Sequence, residues 1–204
     1  MKDCFALLNE ARRPWIEPDT LKQKFLALSS EAHPDRVHTA SNVQKQEAQD
    51  RYVELNSAYN RLRDPKERLL HLIELERGTR PKDVQRIPPE LSALFGDLNQ
   101  ACRETDALLA QKRQVTSPLL MVEMFDRAQQ QTEKLLALQK TIAGKREAFL
   151  GEIQAIDREW EIHPDGSSPG RAKALEQLEE LYPLLSYLTR WAAQLQERIV
   201  QLAA

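Results

Sequence analysis

Features that would indicate a disulfide-linked or strand-rich protein are scarce in this chain of 204 residues. It has two cysteines, Cys4 and Cys102, and neither has a second cysteine nearby at the spacing of a metal site. We therefore expect no disulfide framework and no Cys-rich metal site. Only six glycines occur, and alternation of β-branched and polar residues is almost missing. Extended β structure is accordingly not expected.

Long apolar runs and an excess of one charge are also missing. No stretch of about 18 uncharged residues occurs, and the N-terminus has no apolar segment of signal-peptide type. We therefore expect a cytoplasmic protein with no membrane partner. The 29 Lys and Arg nearly balance the 31 Asp and Glu. This balance gives no reason to expect a nucleic acid as partner.

Motifs of the common enzyme classes are not visible. The chain has no Gly-rich phosphate loop, no nucleophile elbow, no HExxH and no pair of carboxylates at metal-binding spacing. The sequence therefore predicts a protein that is not an enzyme and that uses no cofactor and no metal.

The residues that are abundant are helix formers. Leu, Ala, Gln, Glu, Lys and Arg dominate the composition, which predicts a nearly all-α fold. The segment from Gly78 to Pro89 contains one glycine and three prolines. It interrupts the helical pattern and is typical of a linker. The predicted organisation is a domain over residues 1–77, a linker over 78–88 and a second domain over 89–204.

The second half contains three long amphipathic patterns. The first begins near Leu91, the second begins after Ser117-Pro118 and continues for about 45 residues at helical spacing, and the third runs from about Leu175 to Leu202 with Pro183 as a kink. Long helices joined by short connections predict an antiparallel three-helix bundle.

The tripeptide His33-Pro34-Asp35 is the most informative motif, because it lies between two amphipathic helical stretches. Each stretch has an apolar face at spacings of three and four residues. These faces comprise Leu21, Phe25, Leu28 and Ala32 before the motif, and Ala48, Tyr52, Leu55, Tyr59 and Leu62 after it. Proline cannot continue a helix, so the tripeptide is predicted to form an exposed tip between two packed helices.

This pattern resembles the J-domain co-chaperones of DnaK-type ATPases. Asp3 to Leu8 is similar to the first helix of that family, Leu21 to Phe25 to its second and Leu55 to Tyr59 to its third. Asp64-Pro65 followed by Arg68 resembles the start of its fourth helix. The run from Asn56 to Leu72 is most similar to the HscB subfamily of iron–sulfur cluster assembly co-chaperones.

The resemblance implies how the N-terminal half acts. In J-domain proteins the loop His and Asp, with basic residues of the second helix, contact the ATPase and stimulate hydrolysis. It therefore implies a DnaK/HscA-type ATPase partner. The residues at matching positions are His33, Pro34, Asp35, Lys22, Lys24 and Arg36. Exposed lysines on a helix often only keep it solvated, which is the competing interpretation for the basic positions.

The resemblance also implies a client for the C-terminal bundle, an IscU-type scaffold protein. Leu94, Phe95, Leu98 and Tyr187 match the apolar client-binding positions of the subfamily. The competing interpretation is that all four are core residues. Leu98 best fits the buried stripe, whereas Leu94 and Tyr187 are expected at its flanks with part of their surface exposed. The bundle helices are longer than in the subfamily around residues 150–172.

The tripeptide occurs a second time, as His163-Pro164-Asp165, which shows whether its three residues alone are enough to predict a J-domain. No helix of J-domain type follows it, so we interpret it as the end of the long middle helix.

Two other functions stay open for the whole chain. One is a general J-domain co-chaperone whose bundle is an adaptor or dimerisation module, and the other is a structural helical protein with a degenerate J-domain.

Overall fold

The computed structural model describes residues 2–33, 41–81, 86–163, 166 and 168–203, and these form seven α-helices and no strand. The helices are α1 (Cys4–Leu7), α2 (Pro18–Glu31), α3 (Asn42–Arg63), α4 (Pro65–Arg77), α5 (Ser92–Lys112), α6 (Pro118–Ile162) and α7 (Pro169–Ala203). A short 3-10 turn over Pro89–Leu91 leads into α5. The prediction of an all-α fold is confirmed.

The contacts divide the chain into two compact units. The first unit combines Met1–Lys82 with Leu150–Tyr182, and the second combines Asp83–Phe149 with Pro183–Ala204. The sequence predicts a different grouping, in which all of 89–204 forms the bundle domain. In the structure the C-terminal part of α6 from Leu150 and the N-terminal part of α7 up to Tyr182 fall in the first unit, with the N-terminal residues. We call these two segments the outer parts of α6 and α7. The boundary at 78–88 stays a prediction of where independent folding ends.

The helical hairpin of α2 and α3 is the centre of the first unit. Its two helices are antiparallel, and the rings of Phe25 and Tyr59 stack across it with their centroids 4.3 Å apart. Leu21, Leu55 and Leu62 are buried in the same interface. Burial of one such leucine contributes about 2 kcal/mol to the free energy of unfolding. The apolar spacing found in the sequence thus defines the face on which the hairpin closes.

The start and end of α4 follow from residues with strong local preferences. Asp64 caps the helix by accepting hydrogen bonds from the N–H groups of Lys66 at 2.9 Å and Glu67 at 3.1 Å. Pro65 then occupies the first turn, where its missing N–H costs nothing. At the other end Gly78 adopts a left-handed conformation with φ of 71°, which stops the helix.

The outer parts of α6 and α7 close the first unit. Trp160 is buried, and its Nε1 donates a hydrogen bond to the Arg12 carbonyl oxygen at 2.8 Å. Arg77 at the end of α4 donates two hydrogen bonds of 2.8 Å to the carboxylate of Glu179 on α7. The additional helix length around 150–172, whose role the sequence leaves open, therefore contacts the connection between α1 and α2 through Trp160, and α4 through an ion pair of 3.5 Å between Arg171 and Glu76.

Arg68 of α4 is a structural residue of the same unit. It is 3% exposed, and its guanidinium donates hydrogen bonds of 2.9 Å to the carbonyl oxygens of Pro14 and Leu62. The guanidinium also lies over the Trp15 ring, 5.5 Å from the centroid. Removal from solvent lowers the pKa of Arg68 to about 10. This arginine therefore ties α4 to the connection between α1 and α2.

The second unit is a bundle formed by α5, the first part of α6 and the last part of α7. Gln131 of α6 is buried and donates hydrogen bonds to Thr105 Oγ1 at 3.0 Å and the Ala101 carbonyl oxygen at 3.1 Å, both on α5. Arg198 of α7 donates to Asp106 of α5 at 3.0 and 3.1 Å. These pairings run antiparallel between α5 and α6 and bring all three helices together, which confirms the predicted three-helix bundle.

Candidate functional site

His33 lies just beyond α2, at the tip of the α2–α3 hairpin. The helix ends at Glu31, and Ala32 caps it by donating its N–H to the Leu28 carbonyl oxygen at 3.1 Å. The His33 ring meets Tyr52 of α3 edge to face, with 5.5 Å between the ring centroids and 81° between the planes. Such a contact orients the half-buried imidazole without enclosing it.

Three of the predicted ATPase-binding residues, Pro34, Asp35 and Arg36, lie outside the described residues. Their roles stay predictions. Within the tripeptide the structure describes His33, which lies directly after the end of α2.

The two lysines of α2 differ in their surroundings. Lys22 is exposed to solvent. Lys24 donates a hydrogen bond to the Asn9 carbonyl oxygen at 3.1 Å and forms an ion pair of 3.0 Å with Glu10. Asn9 has φ of 53°, a left-handed conformation that asparagine tolerates better than most residues. Lys24 therefore stabilises the turn after α1, and Lys22 is the α2 lysine with its charge directed to solvent.

Tyr52 is a site residue that the sequence does not single out. The apolar pattern places it only on the buried face of α3, where it was expected to pack against α2. Its half-buried ring instead supports the imidazole at the tip. The sequence signal that could have identified Tyr52 is its position on the apolar face of α3, toward the N-terminal end of the helix, which is the end nearer to the connection with α2.

The predicted client patch is more buried than the sequence suggests. Leu94 is 5% exposed, Leu98 2% and Tyr187 8%, so the expectation of exposed flanks at Leu94 and Tyr187 is wrong. Trp191 of α7 packs beside two of these residues, with its ring 5.5 Å from that of Tyr187 and 5.8 Å from that of Phe95. Phe95 keeps part of its surface exposed.

The aromatic cluster of Phe95, Tyr187 and Trp191 nevertheless brings two predicted client residues from different helices together. Trp191 was missed in the sequence, although it follows Tyr187 by four residues and so lies on the same face of α7. Arg190 adds a cation over the Tyr187 ring at 5.4 Å from its centroid. In this arrangement Phe95 is the partly exposed aromatic residue available to a partner, and the buried Trp191 supports its ring.

His163, the first residue of the second tripeptide, lies directly after α6, as its context predicts. α6 ends at Ile162, so His163 does terminate that helix. Pro164 and Asp165 lie outside the described residues. The His163 ring packs directly over Gly170, where a Cβ would come within 2.3 Å of its atoms. His163 therefore has a packing role at the start of α7.

A membrane-spanning helix and a metal-binding cluster are both missing from the described parts of the chain. No helix there is long and apolar enough to cross a membrane. No group of three or more His, Cys, Asp or Glu side chains in that part is arranged to hold a metal ion.

Comparison with known proteins gives relatives of one kind. The chain is 31% identical over 139 residues to the "Co-chaperone protein HscB homolog" of Burkholderia mallei, which covers 68% of this chain and 78% of that protein. It is 36% identical over 72 residues to the protein of the same name in Bordetella pertussis. That match covers 35% of this chain and 42% of the Bordetella protein, so the chain spans less than half the length of that relative. No family model matches the sequence.

Solved structures agree on the fold. The crystal structure of the human co-chaperone protein HscB superposes with a TM-score of 0.59 at 17% identity, covering 98% of this chain and 81% of the human one. The chaperone HscB from Vibrio cholerae gives a TM-score of 0.53 at 19% identity, covering 95% and 99%. At such identities the likeness concerns the fold alone. Together with the Burkholderia match, it shows that this chain belongs to the HscB co-chaperone family.

Proposed function

We propose that this protein stimulates the ATPase of a DnaK-type, HscA-like chaperone and delivers an IscU-like iron–sulfur scaffold to it. The observation that carries the proposal is the position of His33 at the tip of the α2–α3 hairpin, against Tyr52. Membership of the HscB family supports it, because the sequence resemblance and the fold indicate the same kind of protein.

The proposed contact with the ATPase is electrostatic and directional. His33 provides a hydrogen-bonding group directly after α2, and Lys22 adds an exposed cation on that helix. From the sequence resemblance, we assign the Asp35 carboxylate and the Arg36 guanidinium to the same contact. Charge-assisted hydrogen bonds of this kind are stronger than neutral ones and orient a partner as well as bind it. The packed α2–α3 hairpin holds Lys22 and orients His33 against Tyr52, so that little conformational entropy of these two side chains is lost on docking.

Delivery of the scaffold is assigned to the second unit. Phe95 supplies the accessible part of the proposed client surface, and Leu94, Leu98 and Tyr187 support it from the bundle interior. A few apolar anchors carry most of the binding energy in a protein interface, so a single accessible aromatic residue can matter. We further propose that the protein has no catalytic activity of its own and works in the cytoplasm.

A second candidate function follows from the burial of the patch. Because Leu94, Leu98 and Tyr187 are largely buried, the surface they share offers less apolar area than an exposed four-residue patch would. This observation favours a general J-domain co-chaperone whose bundle is an adaptor or dimerisation module unrelated to iron–sulfur assembly. A structural protein with an inactive J-domain is the third possibility, and it requires that no ATPase binds.

Affinity capture from native cytoplasm with matched baits distinguishes these functions. The full chain should recover both a DnaK-type ATPase and an IscU-type scaffold. The His33→Gln bait should lose the ATPase only, and the Phe95→Ala bait should lose the scaffold only. Recovery of the ATPase without any scaffold by the wild-type bait would favour the general co-chaperone, and recovery of neither would favour the structural protein.

A further inference from the structure

An apolar surface at the start of α6 has no role in the proposed function. Leu119 is 80% exposed, Val122 62% and Phe125 68%, and the neighbouring Leu120 and Met121 are 48% and 52% exposed. Leu120 lies on the opposite side of the helix from the others, so we call the remaining four, Leu119, Met121, Val122 and Phe125, the α6 start patch. All lie in the second unit, on the first two turns of the helix.

The patch is continuous. Leu119, Val122 and Phe125 follow one another at intervals of three residues, and Met121 precedes Phe125 by four, so each side chain neighbours the next on the helix surface. Polar Gln129 follows one turn later and is exposed, which ends the stripe. Four side chains at these exposures present on the order of 500 Å² of surface, the size at which an exposed patch is usually an interaction site.

A hollow lies beside the patch. It has a volume of about 280 Å³ and is lined by Lys112 and by apolar side chains that include Val115, Met121, Met124, Phe125 and Leu202. A cavity of about 150 Å³ is enough to hold benzene, so the apolar hollow accommodates one large side chain. Protruding residues and a receiving hollow therefore belong to the same surface.

The charges around the patch are mixed. Lys112, Arg113 and Arg127 are exposed there together with Glu123 and Asp126. An anionic membrane or a nucleic acid would attract a surface of one sign. A surface with both signs at its edge can instead match a copy of itself.

We propose that the α6 start patch binds a second copy of this chain, forming a two-fold symmetric dimer. In a two-fold interface the same patch serves both partners. The stripe is symmetric about Val122, so two α6 segments crossing antiparallel would place Leu119 of one copy against Phe125 of the other and Val122 on the axis. Together the two patches would bury about 1,000 Å², the lower limit for a specific interface, so the dimer is weak and concentration-dependent.

Sedimentation of the full chain between about 1 and 200 μM tests the proposal. We expect a dissociation constant of about 10–100 μM for the dimer, which corresponds to a weak specific interface. Val122→Glu should abolish dimerisation, because two like charges would meet on the axis, and leave the melting temperature unchanged, since the residue is mostly exposed. Leu119→Ser is a second variant should Val122→Glu fold poorly.

Cross-linking supplies an independent test of the geometry. In a Cys102→Ser background, Val122→Cys should form a disulfide-linked dimer on mild oxidation. Leu136→Cys is the matched control, because Leu136 lies on the same helix with 48% exposure and outside the patch. A monomer at every concentration, or equal cross-linking at both positions, overturns the proposal. Monomeric protein whose scaffold binding is lost on Val122→Glu also overturns it and assigns the patch to the client.

Discussion

Asp157, near the end of α6, is the buried acceptor that holds Arg13 of the connection between α1 and α2. Its Oδ1 accepts a hydrogen bond from Arg13 Nε at 3.1 Å, and its second oxygen binds Arg13 Nη2. The same Oδ1 accepts the Trp15 backbone N–H at 3.1 Å. Asp157 is 4% exposed. One carboxylate thus satisfies a guanidinium and a main-chain donor that are both far from it in sequence.

Asp157→Ala should therefore lower the free energy of unfolding by about 2–3 kcal/mol, because it leaves a part-buried guanidinium and a backbone N–H without this acceptor. Glu161→Gln is the control. Glu161 also pairs with Arg13, at 2.6 Å, but its side chain is 57% exposed, so the change should cost less than about 1 kcal/mol. Urea unfolding of both variants measures the difference, and equal costs would contradict the importance of the buried carboxylate.

The buried His71 should make stability depend on pH. Its Nε2 accepts the Cys4 N–H at 3.0 Å, its ring stacks on Phe5, and burial lowers its pKa below the usual 6.5. The folded state then binds this proton less readily than the unfolded state, so the contribution of His71 is complete above pH 6.5 and is lost as pH falls through the lower folded pKa. We expect the free energy of unfolding to decrease as the pH is lowered through that window.

His71→Gln isolates this effect, because an amide cannot be protonated in this range. The variant should be less stable at neutral pH but should show a smaller decrease in stability as the pH falls below 6.5. Urea unfolding at several pH values gives both profiles. Parallel profiles for the variant and the wild type would show that His71 does not cause the dependence.

Leu98 and Phe95 should separate core packing from client binding. Leu98 is 2% exposed, so Leu98→Ala should cost about 2–5 kcal/mol of stability. Phe95 is partly exposed, and Phe95→Ala should cost about 1 kcal/mol while weakening scaffold binding at least tenfold, or about 1.4 kcal/mol. Calorimetric titration with scaffold measures the binding. Normal binding by a stable Phe95→Ala variant would place the client site elsewhere.

A fragment of residues 1–77 tests the proposed domain boundary. We expect it to fold, since the α2–α3 hairpin, α1 and α4 share a core that includes Phe5, Leu21 and Leu55. It should melt at a lower temperature than a chain that retains the outer parts of α6 and α7, because Arg13 and the Trp15 N–H lose Asp157. A fragment that is unfolded by circular dichroism would show that its core needs residues 150–182.

The sequence predicts those elements of the fold whose signals are local. The spacing of Leu21 and Phe25 locates the packed face of α2, and Asp64-Pro65 marks the start of α4. The context of the two tripeptides likewise distinguishes a hairpin tip at His33 from a helix end at His163. These features depend on residues within a few turns of one another.

Features that depend on distant residues were not predictable in the same way. The 142 to 148 residues between the Arg12–Trp15 segment and its partners on α6 leave no periodic signal that would pair them. The buried Tyr187 neighbours Trp191 of the same helix, whose ring also stacks on that of Phe95 from α5, across more than ninety residues of sequence. An amphipathic pattern defines a helix face, but it does not specify which side chain closes over its edge.

Stimulation of a DnaK-type ATPase tests the central claim most directly. Single-turnover ATP hydrolysis by the HscA-like partner should be accelerated by the wild-type chain. The acceleration should be lost with His33→Gln, although helicity and melting temperature stay the same, because a half-buried residue at a hairpin tip contributes little to folding. His163→Gln, which alters the second tripeptide, should stimulate like the wild type. Equal stimulation by His33→Gln and the wild type would contradict the assignment of the α2–α3 tip as the ATPase-binding site.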